Sequence, residues 1–291
     1  MAAMARVDNV RTTVLVDNTR AAGLAAEHGF SLWIEVAGMR ILFDTGQGKA
    51  LFENAHRLGV RLEETDFLVI SHGHYDHTGG IAGLLKIAPR ARLILHPGAM
   101  ASRYGIRRGI PPREIGIPAT ARGAVEGARD EVIIWSDHTL QLSPGIGVTG
   151  PIPRETDYED VGGPFFLDSL GERKDEIEDD QALWMSTPEG LIVFVGCSHA
   201  GLINTLNYAR GLSGVSRLRA VIGGFHLLQA DSRRLEMTVA ALRSLSPELL
   251  VPCHCSGEKA IKFLKGALGK AISTCHVGAE YTFTQGAAGN E

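Results

Sequence analysis

Ser71-His72-Gly73-His74-Tyr75-Asp76-His77-Thr78-Gly79-Gly80 is the stretch on which the reading of this chain turns. His72, His74, Asp76 and His77 each offer a nitrogen or oxygen lone pair to a metal ion. Phe67-Leu68-Val69-Ile70 before them is a short apolar, partly β-branched run, the pattern of a buried strand. Ile81 to Ile87 after them is apolar with no β-branched block, the start of a helix. The stretch therefore lies on a strand-to-helix turn, where Gly73, Gly79 and Gly80 are expected to let the backbone bend without a Cβ clash. In an extended segment His72 and His74 project to the same side and chelate one ion. Asp76 and His77 then turn the other way and serve a second. Imidazole with carboxylate suits zinc, manganese or iron. The bland alternative is a set of polar residues on a surface loop. Three histidines and an aspartate within six positions, with glycines on both sides, weigh against it.

Composition sets the frame. At 291 residues, with 44% hydrophobic and 21% charged side chains, the chain has enough apolar matter for a sizeable core, and disorder is not indicated. A net charge of -4 without a basic stripe disfavours nucleic acid as a partner. No apolar run has the length of a membrane span. Met1 to Arg11 lacks the apolar core of a signal peptide, so export is not expected. Cys197, Cys253, Cys255 and Cys275 do not make a secreted-type framework, which points to a cytoplasmic protein with reduced thiols. A small-molecule substrate is the expected partner; the oligomeric state is not legible.

Strands are expected at Thr12 to Val16, at Ser31 to Val36 and, across the tight Gly38-Met39 connection, at Arg40 to Phe43. Asp44 at the end of this last strand either hydrogen-bonds a ligating histidine from behind or is a plain turn aspartate. Lys49 to Leu58 has helical apolar spacing. Ala91 to His96 reads as a strand, and Pro97 to Asp130 as a loop excursion with a short helix near the substrate mouth. Glu131 to Trp135, Thr139 to Leu142 and Ile146 to Thr149 read as successive strands of a meander. Arg154, in the Pro-rich run that follows, either clamps an anionic group of a substrate or is simply solvated. Gln181 to Ser186 and Leu191 to Val195 form a hairpin. Helices at Leu202 to Arg210, Ser232 to Leu245 and Glu258 to Leu268 then alternate with strands at Leu218 to Ile222, Leu249 to Val251 and Tyr281 to Thr284. Hairpins with outer helices in both halves suit one α/β domain over residues 1–291, a four-layer αββα sandwich.

One motif supplies at most four side chains, and two ions need more. His199, His226 and His254 each follow an apolar run, at Gly196-Cys197-Ser198-His199, Gly223-Gly224-Phe225-His226 and Pro252-Cys253-His254-Cys255. Lone histidines are more often structural, but these share the topological place of the first motif. His199 and His254 are read as ligands, and His226 as acting on the substrate or transition state. His28, His56, His96, His138 and His276 lack this setting and are read as structural or surface residues. Cys253 and Cys255, two apart and on either side of His254, would point away from its face in a strand and are read as buried small hydrophobes.

The His-x-His-x-Asp-His stretch resembles the metal-binding signature of the metallo-β-lactamase superfamily. Glu27-His28-Gly29-Phe30-Ser31, Ile41 to Gly46, Gly196 to Gly201, Gly223 to Leu227 and Pro252 to Gly257 resemble, in order, one branch of it. That branch contains metal-dependent hydrolases and a dihydropterin-dependent synthase of the methanopterin type. The resemblance runs from about Thr12 to Thr284. It implies the αββα fold, a pair of metal ions (zinc first, manganese or iron otherwise) and the ligands His72, His74, Asp76, His77, His199 and His254. One position departs from the superfamily pattern. The aspartate that usually bridges both metals is replaced by Cys197, so a thiolate, a water, Asp179 or Asp180 must take its place.

The expected function is a metal-dependent hydrolase in which a metal-held hydroxide attacks a small ester, a phosphate ester first. Asp76 would hold metal and orient the water, and His226 would donate to the developing oxyanion. The rival enzyme reading is a transferase that joins a pterin methyl carbon to an aryl acceptor with pyrophosphate leaving, for which Arg154 would steady the leaving group. A non-catalytic metal-binding sensor is the third reading, disfavoured by the intact ligand set. β-Lactamase action does not follow from fold.

Overall fold

Alternate residues along the strand Gly190–Val195 face two different cores. Ile192 and Phe194 join a cluster with Phe30, Ile34, Ile41 and Phe43, whereas Leu191, Val193 and Val195 pack with Leu202, Leu206, Val239 and Leu264. A strand buried on both faces reads as a continuous apolar run, as this one does. On the other side of the molecule Leu42, Leu68 and Leu93 pack with Leu51, Ala55, Leu84 and Val125. Helices therefore cover the outer face of each of two sheets, and the sheets face each other through the first cluster. These are the four layers of the expected αββα sandwich.

The computed structural model describes residues 5–285 and the backbone of 287–290. The first sheet has eight strands in the order Ala287–Asn290, Glu280–Thr284, Val10–Val16, Ser31–Val36, Met39–Phe43, Phe67–Val69, Arg92–Leu95 and Ile133–Trp135. It is parallel from Met39–Phe43 onward. The second has six, in the order Leu249–Cys253, Leu218–Gly224, Gly190–Val195, Ala182–Thr187, Ile146–Val148 and Leu140–Ser143, and its first three are parallel. Parallel strands end on one edge. The segments after Phe43, Val69, Val195, Gly224 and Cys253 therefore gather at one rim, the usual place for a ligand in parallel sheets.

Helices Ile81–Ile87, Ser232–Leu245 and Glu258–Leu268 lie where their apolar spacing places them. The meander does not form as expected. Ile133–Trp135 pairs in parallel with Arg92–Leu95 in the first sheet, while Leu140–Ser143 and Ile146–Val148 belong to the second. Alternation marks a strand but not the edge that receives it, so the crossing between sheets at 136–139 left no mark. The excursion from Pro97 carries the helix Ala119–Glu126 and a hairpin, Tyr104–Gly105 with Arg113–Glu114. Phe165–Phe166 joins that hairpin as a third strand. No helix among the described residues is long and apolar enough to cross a membrane.

Candidate metal centre

His72 and His74 leave the strand Phe67–Val69 in an extended turn, and Asp76 and His77 sit in the short helix Tyr75–Thr78. Gly73, Gly79 and Gly80 avoid a Cβ clash as expected, though none has a positive φ. Close approach explains them. A Cβ on Gly73 would lie 2.3 Å from the Ala99 carbonyl oxygen, and one on Gly79 would lie 2.5 Å from that of Gln47. Strain appears instead at the ligand-bearing turns. Asp44, Ser198, His226 and His254 all have left-handed backbones, with φ of 59°, 57°, 48° and 49°. Such conformations cost free energy in non-glycine residues and persist where packing over-determines them.

Four histidines have one ring nitrogen anchored. The Nδ1 of His72 is 2.9 Å from Ser71 Oγ, that of His77 2.7 Å from Asp44 Oδ2, that of His199 2.8 Å from the Val161 carbonyl, and that of His254 3.0 Å from Asn18 Oδ1. Each is left with Nε2 to present inward. Asp44 is fully buried and also accepts from the Ser71 amide and hydroxyl, both at 2.7 Å, so its carboxylate holds the strand end and the His77 ring together. Anchoring of this kind fixes tautomer and orientation in metal-binding histidines. Of the two sequence readings of Asp44, the geometry selects the one that supports a histidine.

The presented atoms converge. His72 Nε2 and His74 Nδ1 approach to 2.9 Å, near the ~3.3 Å edge of a tetrahedron of Zn–N bonds. Cys197 Sγ lies 3.2 Å from His77 Nε2. Ligand atoms of His72, Cys197 and His199 fall within 4.8 Å of one another, as do those of His77, Cys197 and His254, and those of His28, Asp76 and His254. Cys197 belongs to two of these groups and stands between them. Asp179 and Asp180 belong to none of the groups. Asp179 accepts from the Gly73 amide at 2.7 Å and from buried Arg103 at 2.5 and 3.0 Å, and Asp180 accepts from the Ala200 amide at 2.7 Å. Of the replacements considered for the bridging aspartate, the thiol has the position.

Protonation fits metal binding. Burial pushes the pKa of His72 and His199 well below the usual imidazole value and that of His74 down to about 3, with neighbouring cationic groups adding to it. These rings are neutral and keep a lone pair. Burial opposes charge on His77 too, but the Asp44 and Asp76 carboxylates outweigh it and raise its pKa. For Asp76 burial is again the largest influence, upward. Hydrogen bonds from His254 and His28 overcome it and hold the carboxylate well below its ordinary range. Burial raises the Cys197 thiol, so its ionisation calls for a cation. Buried His199 Nε2 has no hydrogen-bond partner, and neither has His74 Nε2. A buried, unpartnered nitrogen on an anchored ring, facing a cysteine and other imidazoles, suits a metal ligand. The residues fit a divalent metal.

The sequence reading needs three corrections. His28 is not a bystander: its Nε2 lies 3.0 Å from Asp76 Oδ2 with the side chain 56% exposed, so it stands at the rim of the cluster. Its place two residues before Phe30, within a stretch that resembles the branch, was the available signal. Cys253 is a buried core residue as expected, but Cys255 lines the cavity beside Cys197 and His226. The strand ends at Cys253 and residues 254–256 make a tight turn, so strand alternation stops applying. Arg154 does not face the cavity. It donates to the carbonyls of His199, at 2.8 Å, and Glu176, and so braces the loop that carries His199. His56, His96, His138 and His276 lie in none of the metal-competent groups.

Above the cluster opens a cavity of about 470 Å³. His74, Asp76, Cys197, His199, His226 and His254 reach its wall, with Tyr75, Phe165 and the excursion residues Arg107, Ile110 and Arg113 nearer the mouth. The excursion was expected there; its arginines were not singled out. His226 lies ring to ring with His199 at 4.3 Å, its Nε2 is 3.3 Å from the Gly162 carbonyl, and its Nδ1 is without a partner. Arg103, also missed, is buried and paired with Asp175 and Asp179, which fixes the backbone between His72 and His74.

Fold and cluster define a metal-dependent enzyme scaffold, and comparison with known proteins gives it a family. The metallo-beta-lactamase superfamily matches residues 25–254, and the chain belongs to that family. An uncharacterized protein of Methanocaldococcus jannaschii is 34% identical over 89% of this chain and 98% of its own length. The 7,8-dihydropterin-6-methyl-4-(beta-D-ribofuranosyl)-aminobenzene-5'-phosphate synthase of the same organism is 29% identical over 94% of this chain and 96% of its own. The crystal structure of Tm1679, a metal-dependent hydrolase of the beta-lactamase superfamily, superposes with a TM-score of 0.79 at 33% identity, covering 93% of this chain and 98% of that one.

Proposed function

We propose that this protein is a metal-dependent hydrolase of a small ester, a phosphate ester first, with zinc as the ion and two sites per chain. The observation that carries the reading is the set of imidazoles anchored at one nitrogen and convergent at the other around Cys197. His72, His74 and His199 would hold one ion, and Asp76, His77 and His254 the other. Cys197 stands between them in the place of the superfamily's bridging aspartate. A bound divalent ion supplies a water of lowered pKa and polarises the group under attack. Asp76, held ionised, would accept a hydrogen bond from an attacking water and set its direction. His28 steadies Asp76 from the solvent side. His226 works on the substrate: with Nε2–H donating to Gly162, Nδ1 is the nitrogen that takes up and returns a proton. It would donate to an oxyanion only in its protonated form. Small ligands fit a cavity of this size.

A transferase joining a dihydropterin methyl carbon to an aryl acceptor with loss of pyrophosphate is the second reading. It is favoured by the identity to the synthase over nearly the whole chain. The test is to load the protein with zinc, manganese or iron and offer phosphodiesters, phosphomonoesters, lactones and, separately, a dihydropterin pyrophosphate with an aryl acceptor. Hydrolysis of a phosphate ester that stops on chelation is the expected result. A coupled pterin product with pyrophosphate release, and no ester hydrolysis, would replace the first reading with the second. Bound metal with no turnover on either set would leave a sensor.

A further inference from the structure

Two arginines line the cavity that opens above the histidines. The hairpin of Tyr104–Gly105 and Arg113–Glu114 is joined by a turn that includes Arg107, and Arg107 and Arg113 both line the cavity. Both are exposed, and among the described residues neither is paired with a carboxylate. Some exposed arginines pair with an acid, as Arg57 does with Glu53 and Arg233 with Asp157, both at 2.9 Å; what distinguishes Arg107 and Arg113 is that both line the cavity. The chain as a whole has a net charge of -4, so this concentration does not follow from composition. The Arg113 guanidinium lies 4.8 Å from the centre of the Tyr75 ring, a stack that steadies it at the mouth. Between mouth and floor the wall is apolar. Phe165 sits 5.3 Å from the His74 ring, and Ile110 is 59% exposed although it lines the cavity. Leu228, 68% exposed, lines the same cavity.

We propose that Arg107 and Arg113 bind an oxyanion, phosphate or carboxylate, at the far end of an elongated substrate whose apolar body lies along Phe165 and Ile110. The reacting group then lies at the histidines, and only that end of the assignment rests on the hydrolase reading. Arginine forks match such planar or tetrahedral oxyanions. Charge at the entrance also draws anions in.

The test uses the zinc-loaded full chain and three ethyl aryl phosphodiesters with phenyl, 4-carboxyphenyl and 4-phosphonophenyl groups. Their kcat/KM values are measured, together with Kd by calorimetry, which needs no turnover. The anionic esters should bind and react better than the phenyl ester. Arg107→Ala and Arg113→Ala should each cut that preference about tenfold, the order of one charged hydrogen bond. The loss should appear in KM more than in kcat. Arg107→Lys/Arg113→Lys should keep more of the preference than the alanine pair, and added salt should weaken it. Whichever anionic ester gains more names the oxyanion. No preference in the unmodified protein, or one that survives the alanine pair, overturns the proposal. If nothing is turned over yet binding follows the arginines, the hydrolase reading fails and the anion site stands.

Discussion

The two sheets build the candidate metal cluster in different ways. The first sheet delivers His72, His74, Asp76 and His77 from one turn after Phe67–Val69. The second delivers Cys197, His199, His226 and His254 from the ends of Gly190–Val195, Leu218–Gly224 and Leu249–Cys253. One half is a local motif whose geometry is set by a few successive residues. The other is assembled by tertiary structure, and its members meet only because parallel strands end on one rim. The supports differ accordingly. The first half is held by buried carboxylates, Asp44 behind His77 and Asp179 on the Gly73 amide. The ring anchors of the second are neutral, the Val161 carbonyl and Asn18 Oδ1, although buried Asp17 and Asp180 accept from the His254 and Ala200 amides there.

Removing a ligand from either half should have the largest effect. His74→Ala, His199→Ala and His254→Ala should each lower metal content, with affinity down by more than about a hundredfold, the upper range for loss of a mere supporting partner. Turnover should go with it. His226→Ala should keep near-normal metal and lower kcat by about a hundredfold or more, the scale of a lost proton-transfer group. Metal analysis beside kinetics separates them. If His226→Ala strips the metal while His199→Ala does not, the roles on the second sheet have been assigned in reverse.

A smaller effect should separate the two kinds of support. Asp44→Asn keeps the shape but weakens the hold on His77, and should reduce metal affinity by about 10- to 100-fold. Asn18→Ala, which frees His254 Nδ1 from a neutral oxygen, should cost less than Asp44→Asn in the same competition assay with a chromophoric chelator. Equal losses would show that the charge of the first half contributes nothing beyond a hydrogen bond.

A separate effect is expected on stability. Burial raises the Asp180 pKa from 3.8 to about 7, so the folded chain holds this proton more tightly than the unfolded one. The stabilisation is full below pH 3.8 and is lost as pH rises through about 7. A fully buried group with this shift bounds the loss at on the order of 4 kcal/mol. Asp180→Asn does not titrate and can still accept from the Ala200 amide. Metal-free wild type should therefore lose thermal stability relative to Asp180→Asn between pH 5 and pH 8, by roughly a few degrees per kcal/mol. Parallel melting profiles for the two proteins would refute this.

These differences explain what was legible. The first half could be read from ten successive residues because the donors share one turn. His199, His226 and His254 could be read from position alone, as histidines just past apolar runs that the fold turned into neighbouring parallel strands. The partners of Arg154 were not legible because a Pro-rich loop carries no periodicity that says which way a long side chain reaches, and its carbonyl partners at His199 and Glu176 are distant in sequence. Arg103, Asp175 and Asp179 make a buried ion network with no mark in any one of their segments. The switch of sheets after Trp135 was lost for the same reason: partner choice for a strand is a tertiary decision.

The central claim is that both sheets contribute ligands to one metal cluster with Cys197 between its two groups. Anomalous scattering from crystals of the zinc-loaded protein tests it most directly. The account expects density enclosed by His72, His74, His199 and Cys197, with a second peak among Asp76, His77, His254 and Cys197. Zinc found instead at Asp17, Cys253 and Cys275, a group that is also close enough to hold an ion, with the histidine cluster empty, would contradict it.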